Sequence, residues 1–309
     1  MTGGISLTVA GLSKAYRNKM VFNNINLEFT KGIYVLLAPN GEGKTTLIKL
    51  LATLLFPDSG KIEYNGVSIY KLDEEYRGRI GYLPQEFNAY PSFSAISYMK
   101  YIAECKGIKK KEAEKRIPAL FSLVSLDEVC KNRVGTFSVG MRKRLGIAQA
   151  LLNDPEILIF DEPTAGLDPK ESIRIRNYLT DISAEKTIII STHILSDTEG
   201  IGGQIIMLKN GGVLYHGGQE ALCGVLKGKV FQLCCSPEEL PEGAFVTVQR
   251  RENEGVLFRY ILEERHGGHP AAEACEPSLE DLFIFSYRDD PLKSQATNEY
   301  QRSIKAAQD

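Results

Sequence analysis

An α/β fold is what this sequence leads one to expect: a strand-and-helix core, a helical subdomain inserted into it, and a small α+β appendage at the end. Three observations carry that expectation. Short apolar runs bounded by glycine and proline, such as residues 32–37, have the length of buried strands and give way to helically spaced apolar residues. Between residues 86 and 135 the strand-like runs disappear and lysine-bearing helical patterns replace them. After Gly218 short β-rich runs return in a different texture. The expected division is a core of residues 1–85 and 146–218, a helical subdomain of 86–145, an accessory domain of 219–286 and a polar tail of 287–309.

Taken in order, Ile5, Leu7 and Val9 alternate and predict an opening strand over residues 5–10. From Lys44 onward Leu47, Ile48, Leu50, Leu51, Leu54 and Leu55 fall at helical spacing, and Pro57 and Gly60 predict the helix end. Gly41-Glu42-Gly43 therefore sits at a strand-to-helix turn. The basic run from Lys106 to Arg116 is interleaved with Glu112 and Glu114, which predicts a solvated helix rather than a nucleic-acid patch. Residues 156–160 and 187–191 are β-rich runs beside helical stretches, and residues 204–208 and 213–215 flank Asn210-Gly211-Gly212 as a hairpin. Residues 230–233, 245–249 and 256–262 read as strands of the appendage, with a turn at 252–255.

Composition excludes several classes. Of 309 residues, 43% are hydrophobic and 25% charged, which suits a globular chain with a core. Lys+Arg number 37 against 39 Asp+Glu, so no global positive field exists to hold nucleic acid. No apolar run approaches the ~18 residues of a membrane span. The start of the chain has neither a basic segment nor an apolar one, so no signal peptide is expected and the cytoplasm is the expected compartment. Cys105, Cys130, Cys223, Cys234, Cys235 and Cys275 show no paired metal spacing and read as reduced, mostly buried thiols. His266-Gly-Gly-His269 reads as a loop.

The chemistry concentrates at two places. Ala38-Pro39-Asn40-Gly41-Glu42-Gly43-Lys44-Thr45-Thr46 fits a phosphate-binding loop, G-x-x-x-x-G-K-[ST], with Ala38 in place of the first glycine. Gly41 and Gly43 let successive backbone N–H groups turn toward phosphate oxygens, and the helix that follows points its positive end at the same anion. Lys44 can reach the β- and γ-phosphates of a nucleoside triphosphate, and Thr45 can place a hydroxyl on Mg²⁺. The methyl of Ala38 is tolerable only if φ is negative there. The second place is the apolar run that ends in Asp161-Glu162. Asp161 suits a Mg²⁺ shell, and Glu162 can orient or deprotonate a water for in-line attack.

With these residues in view, the ordered set Lys44, Gln85, Ser138-Val139-Gly140, Asp161-Glu162, Asp168 and His193 resembles the nucleotide-binding subunit of an ATP-binding cassette (ABC) transporter, over residues 5–220. Asp154-Pro155, Glu162-Pro163-Thr164, Gly166-Leu167-Asp168-Pro169 and Ser191-Thr192-His193 strengthen the likeness, which is to bacterial single-cassette subunits. The stretch from Pro277 to Phe283 resembles the close of longer subunits of the export type. The fold implied is a P-loop NTPase core with an inserted helical subdomain. The activity implied is ATP hydrolysis with ATP and Mg²⁺ as ligands, powering export through a separate membrane permease from the cytoplasmic face of the membrane.

Residue by residue, the resemblance implies that Tyr16 stacks on adenine, that Gln85 touches Mg²⁺ or the attacking water, and that His193 contacts the γ-phosphate. Ser138 and Gly140 would act in trans, on the nucleotide of a second ATPase subunit, either another copy or a paralogue, packed head to tail. Asp168 would sit at that seam, and it also reads as a helix N-cap before Pro169. Phe137-Ser138-Val139-Gly140-Met141 departs from the family's L-S-G-G-Q at Val139 and Met141. The aromatic stretch around Tyr90 and Phe93 resembles the groove that receives a permease helix. A soluble ABC-type ATPase acting on ribosome or DNA is the alternative; those proteins often carry paired cassettes, a coiled coil or basic extensions. A structural protein with an inactive nucleotide fold is a third.

Overall fold

The computed structural model describes residues 5–17, 19–198, 200–252, 255–263 and 269–288. The expected tail beyond residue 288, the middle of the turn at 253–254 and His266 lie outside them. The chain divides into two units, Met1–His216 and Gly217–Asp309.

In the first unit the elements run β1 (Leu7–Tyr16), β2 (Lys19–Phe29), β3 (Gly32–Leu37), α1 (Lys44–Leu51), β4 (Ser59–Tyr64), β5 (Val67–Ser68), α2 (Ile69–Leu72), α3 (Glu74–Arg79), β6 (Ile80–Leu83), α4 (Ala95–Cys105), α5 (Lys110–Leu123), α6 (Val139–Ala150), β7 (Ile157–Asp161), α7 (Pro169–Ile182), β8 (Thr187–Thr192), β9 (Gln204–Lys209) and β10 (Gly212–Gly218). Six strands form one sheet in the order β10-β9-β3-β8-β7-β6. The five from β9 to β6 are parallel. Their sequences explain this placement. Every residue of β7 and β8, and all of β3 after Gly32, is buried, as strands covered on both faces require. A four-stranded antiparallel sheet, order β2-β1-β4-β5, forms separately. Tyr98, Met99, Ile117, Phe121 and Leu145 help to fill the core of the helical segment.

Several elements differ from expectation. The helix expected to run through Leu55 ends at Leu51. Thr53 takes φ +59, Thr53 N–H donates to Leu50 O (3.2 Å) and Leu54 N–H to Lys49 O (2.8 Å), which is a Schellman closure. Leu54 is accordingly thrown out to 57% exposure. The basic run from Lys106 is broken by Gly107 at φ +69, and its helix starts only at Lys110. Strand β2 was not legible in the sequence: its asparagines face solvent, Asn24 sits at φ +56, and its pairing with β1 shifts register three times. The cysteines are unpaired, but they are not mostly buried; Cys105 and Cys234 are exposed and the other four half-buried. Cys130 and Cys235 pack against hydrophobic cores while staying partly exposed.

The second unit holds α8 (Gln219–Cys223), β11 (Val230–Cys235), β12 (Phe245–Glu252), β13 (Gly255–Ile261), β14 (Glu273–Ala274) and α9 (Leu279–Ser286). Its antiparallel sheet has the order β12-β13-β11-β14 around Leu233, Phe258, Tyr260 and Leu262. The Ser278-to-Asp281 segment singled out in the sequence is a capping box at the start of α9.

Candidate active site

Four neighbouring parallel strands end side by side. Register pairs Leu37 with Thr192, Asp161 with Ser191, and Leu83 with Phe160. The loops leaving the carboxyl ends of β3, β8, β7 and β6 therefore emerge on one edge, where open α/β sheets gather their functional groups. Those loops carry His193, Glu162 and Gln85, and the loop after β3 leads into Lys44 at the start of α1.

The phosphate loop, residues 38–43, joins β3 to α1. Gly41 and Gly43 take φ +89 and +96. At Gly43 the need for glycine is double: a Cβ would come within 2.7 Å of the Phe22 ring and 2.8 Å of Val21. Ala38 is not among the positive-φ residues, so its methyl is accommodated without strain. Lys44 is buried, and its Nζ donates to Ala38 O (2.5 Å) and Pro39 O (3.1 Å), arching back across the loop. Glu42 is buried too, with Oε2 accepting from Asn210 N–H (2.9 Å) in the β9–β10 turn. Thr45 and Thr46 lie in the first turn of α1.

At the end of β7, Asp161 is buried; the Ser191 hydroxyl donates to its Oδ1, and Oδ2 has no hydrogen-bond partner. An orphaned carboxylate oxygen at this place is what a hard cation or a water bound to it satisfies. Glu162 follows at φ +51, and its side chain meets other partners than that of Asp161. Its N–H is held by both the carbonyl and the hydroxyl of Ser191, each at 3.1 Å. Its Oε1 meets His193 Nδ1 at 2.8 Å, and its Oε2 lies 3.4 Å from Gln85 Nε2. A carboxylate held by two flanking groups still has lone pairs left to accept a hydrogen bond from a third partner, such as a water.

Ser138, Gly140 and Asp168 lie elsewhere. They line a cleft of about 340 Å³ with Val139, Met141, Arg144, Gly166, Leu167 and Glu171. Ser138 caps α6 by accepting from Met141 N–H (3.1 Å), and Asp168 caps α7 by accepting from Glu171 N–H (2.9 Å). Tyr16 stands apart at the end of β1, 45% exposed, with the Lys14 ammonium 5.9 Å from its ring centroid.

Two contributors, Asp197 and Lys143, escaped the sequence reading, as did the role of Ser191, which braces both acids. Asp197, buried, accepts from Thr164 Oγ1 (2.6 Å) and Thr192 Oγ1 (2.9 Å), tying the loop after Glu162 to the end of β8. Lys143, buried on α6, donates from Nζ to Gln85 O (3.0 Å). Burial pushes its pKa below the ordinary lysine value, against the opposing pull of the Glu162 and Asp161 charges. Nearby Tyr82 is pushed up to about 12 by burial and, second, by the Asp161 charge. Nothing in their spacing marks these residues; each acts on a segment distant in sequence.

The chain is similar to known proteins over most of its length. The family model described as ABC transporter matches residues 22–165. An uncharacterized ABC transporter ATP-binding protein, YxlF of Bacillus subtilis (strain 168), is 35% identical over 295 residues, spanning 90% of this chain and 98% of that protein. The Nod factor export ATP-binding protein I of Rhizobium sp. (strain N33) is 32% identical over 292 residues, 91% of this chain and 96% of its own. Among solved structures, a dimeric bacterial ABC transporter cassette superposes with a TM-score of 0.63 at 25% identity, covering 69% of this chain and 98% of that one. The same cassette, in a post-hydrolysis state bound to ADP and Pi, superposes equally well.

Proposed function

This chain belongs to the ABC transporter family as an ATP-binding, ATP-hydrolysing subunit, and on that premise we propose a residue-level mechanism and a setting for it. Lys44 and the loop from Ala38 to Thr46, through the backbone N–H groups of every residue but Pro39, bind the triphosphate of ATP, with the adenine on Tyr16. Thr45, Gln85 and Asp161 hold Mg²⁺, a choice supported by the orphaned Asp161 Oδ2. When bound, the ion offsets charge on the β- and γ-phosphates.

Glu162 is the base. Its carboxylate takes a proton from a water whose oxygen forms a bond to the γ-phosphorus as the bond to the β,γ-bridging oxygen breaks, leaving ADP and phosphate. His193, on Glu162 Oε1, sets that carboxylate and contacts the γ-phosphate. One observation carries this assignment: Glu162 is presented at φ +51 from the end of β7, clasped by Ser191, His193 and Gln85.

The cycle runs in a head-to-tail dimer, of two copies or of this chain and a paralogue. There Ser138 and Gly140 of one subunit close on the nucleotide of the other, and Asp168 lies at the seam. Two observations support this. Ser138, Gly140 and Asp168 share a cleft away from Lys44, and the similar cassette is dimeric. The dimer works at the cytoplasmic face of the membrane, docked on a separate permease, in export. Among the described residues no helix is long and apolar enough to cross a membrane. The exporter reading rests on relatives such as the Nod factor export protein. An ATPase of ribosomes or DNA is not favoured by these relatives. The domain plan offered is a core of 1–85 and 146–218, a helical subdomain of 86–145 that carries Ser138, and an accessory domain of 219–286.

The test is Glu162→Gln. The variant is expected to bind ATP as the parent does, to accumulate as an ATP-bound dimer in size-exclusion chromatography, and to hydrolyse about 100-fold to 10,000-fold more slowly. Hydrolysis at the parent rate would overturn the assignment of the base.

A further inference from the structure

Lys143 has no role in the mechanism above, yet its place is unusual. A lysine with 6% of its surface exposed has lost nearly all its hydration, an arrangement that persists only with compensating partners. Its hydrogen-bond partner is the main-chain carbonyl of Gln85, at 3.0 Å. The carboxylates whose charges act on it are those of Glu162 and Asp161. The ammonium therefore sits behind the clasp that holds Glu162, touching the residue whose side chain forms one arm of it.

The helix that carries Lys143 adds a second observation. Ser138 is the N-cap of α6, and Lys143 lies about a turn and a half further on, facing inward while Ser138 stays exposed. That helix is locked onto the segment bearing Gln85. A Cβ on Gly146 of α6 would come within 2.6 Å of Leu83 and 2.8 Å of Phe87, on either side of Gln85. A Cβ on Gly81 of β6 would reach 2.2 Å from Ala150 O, at the other end of α6. With no side chain at either glycine, helix and strand pack at backbone distance. Helix α6 thus touches the Gln85 segment at Gly146 and at Lys143, whose Nζ donates to the Gln85 carbonyl.

We propose that Lys143 is a positioning residue that links the two ATP sites of the dimer, transmitting engagement of Ser138 with the partner's nucleotide into the placement of Gln85 and Glu162 at the subunit's own nucleotide. The inference rests on the reading of Ser138, Gln85 and Glu162 given above. It adds a route by which closure on one nucleotide is felt at the other, through one short rigid helix with an ammonium at its inner face.

The experiment compares steady-state ATP hydrolysis of the full chain with Lys143→Met, Lys143→Arg and, in parallel, Glu162→Gln. Lys143→Met is expected to lower kcat about tenfold, within the range of coupling energies between sites. The KM for ATP should stay within about twofold and the Hill coefficient for ATP should fall toward one. Lys143→Arg, which keeps a cation and a donor, should recover cooperativity in part. An unchanged kcat and Hill coefficient in Lys143→Met overturn the proposal, as does a rise in KM that matches the fall in kcat, which marks a merely structural residue. If Lys143→Met does not fold, Lys143→Gln carries the same test with a neutral donor. The parallel variant separates the two levels. A dead Glu162→Gln beside a normal Lys143→Met rejects only this inference, whereas a fully active Glu162→Gln rejects the reading beneath it.

Discussion

Each unit of the molecule buries an aspartate at the end of a secondary-structure element, and the two are treated in opposite ways. Asp281, at the start of α9, is fully buried and fully used. Its Oδ1 accepts from Thr247 Oγ1 (2.7 Å) and Arg259 Nε (3.0 Å), and its Oδ2 from Arg259 Nη2 (2.7 Å), Ser278 N–H (2.8 Å) and Ser278 Oγ (2.8 Å). Burial alone would raise its pKa, but the Arg259, Thr247 and Ser278 hydrogen bonds together hold it below the usual aspartate range. Asp161, at the end of β7, is equally buried and keeps one oxygen without a partner. The first arrangement closes a small sheet-and-helix unit. The second keeps coordination capacity in reserve at the edge where four strands end, and stored capacity of that kind is a mark of a site rather than of a scaffold.

The contrast can be broken by substitution. The largest effect is expected from Lys44→Ala, which should weaken ATP binding at least about 100-fold by removing charge-assisted contacts to phosphate; titration with a fluorescent ATP analogue measures it. Asp161→Asn should lower phosphate release about 100-fold or more while leaving the melting temperature unchanged or higher, because a buried charge with an unused oxygen is removed. Arg259→Met should do the reverse. Stranding the Asp281 carboxylate costs about 3 kcal/mol, read as faster amide exchange across β11 to β13. Equal loss of stability in Asp161→Asn and Arg259→Met would erase the distinction between the two aspartates.

Acid sharpens the comparison further. The folded-state pKa of Asp281 is depressed, so its contribution to stability is complete above its unfolded value, about 3.9, and is lost as pH falls through the lower folded value. Amide protection in the second unit should therefore drop below about pH 4, and Arg259→Met should flatten that dependence. The smallest effect belongs to Ala38→Gly. Since Ala38 does not need positive φ, ATP affinity should change less than about twofold and stability by about 0.5–1 kcal/mol. A large gain in affinity would show that the methyl does strain the loop.

How much was legible follows the distance over which each feature is built. The phosphate loop is a run of consecutive residues between a strand and a helix, and its chemistry was readable because its spacing is its geometry. The same holds for Asp161-Glu162 at the end of an apolar strand and for the Asp168-Pro169 helix start. The fully buried strands β3, β7 and β8 announced themselves as apolar runs, whereas β2, solvated on one side and bulged, did not. The premature end of α1 at Thr53 was hidden because the leucines after it keep helical spacing. Asp197, Lys143 and the bracing role of Ser191 were silent, since each reaches a partner 29 or more residues away.

Residue order alone pointed to the groups proposed to bind a triphosphate and to act on water, because amide-lined turns and strand-end acids are made within a few consecutive positions. Only the folded chain decided that these groups meet. Sheet order β3-β8-β7-β6 brings distant loops to one edge, the Glu162 carboxylate meets His193 and Gln85 from neighbouring loops, and an inward lysine on α6 reaches the loop after β6. Those are consequences of strand pairing and close packing between segments far apart in the chain, which no local pattern encodes.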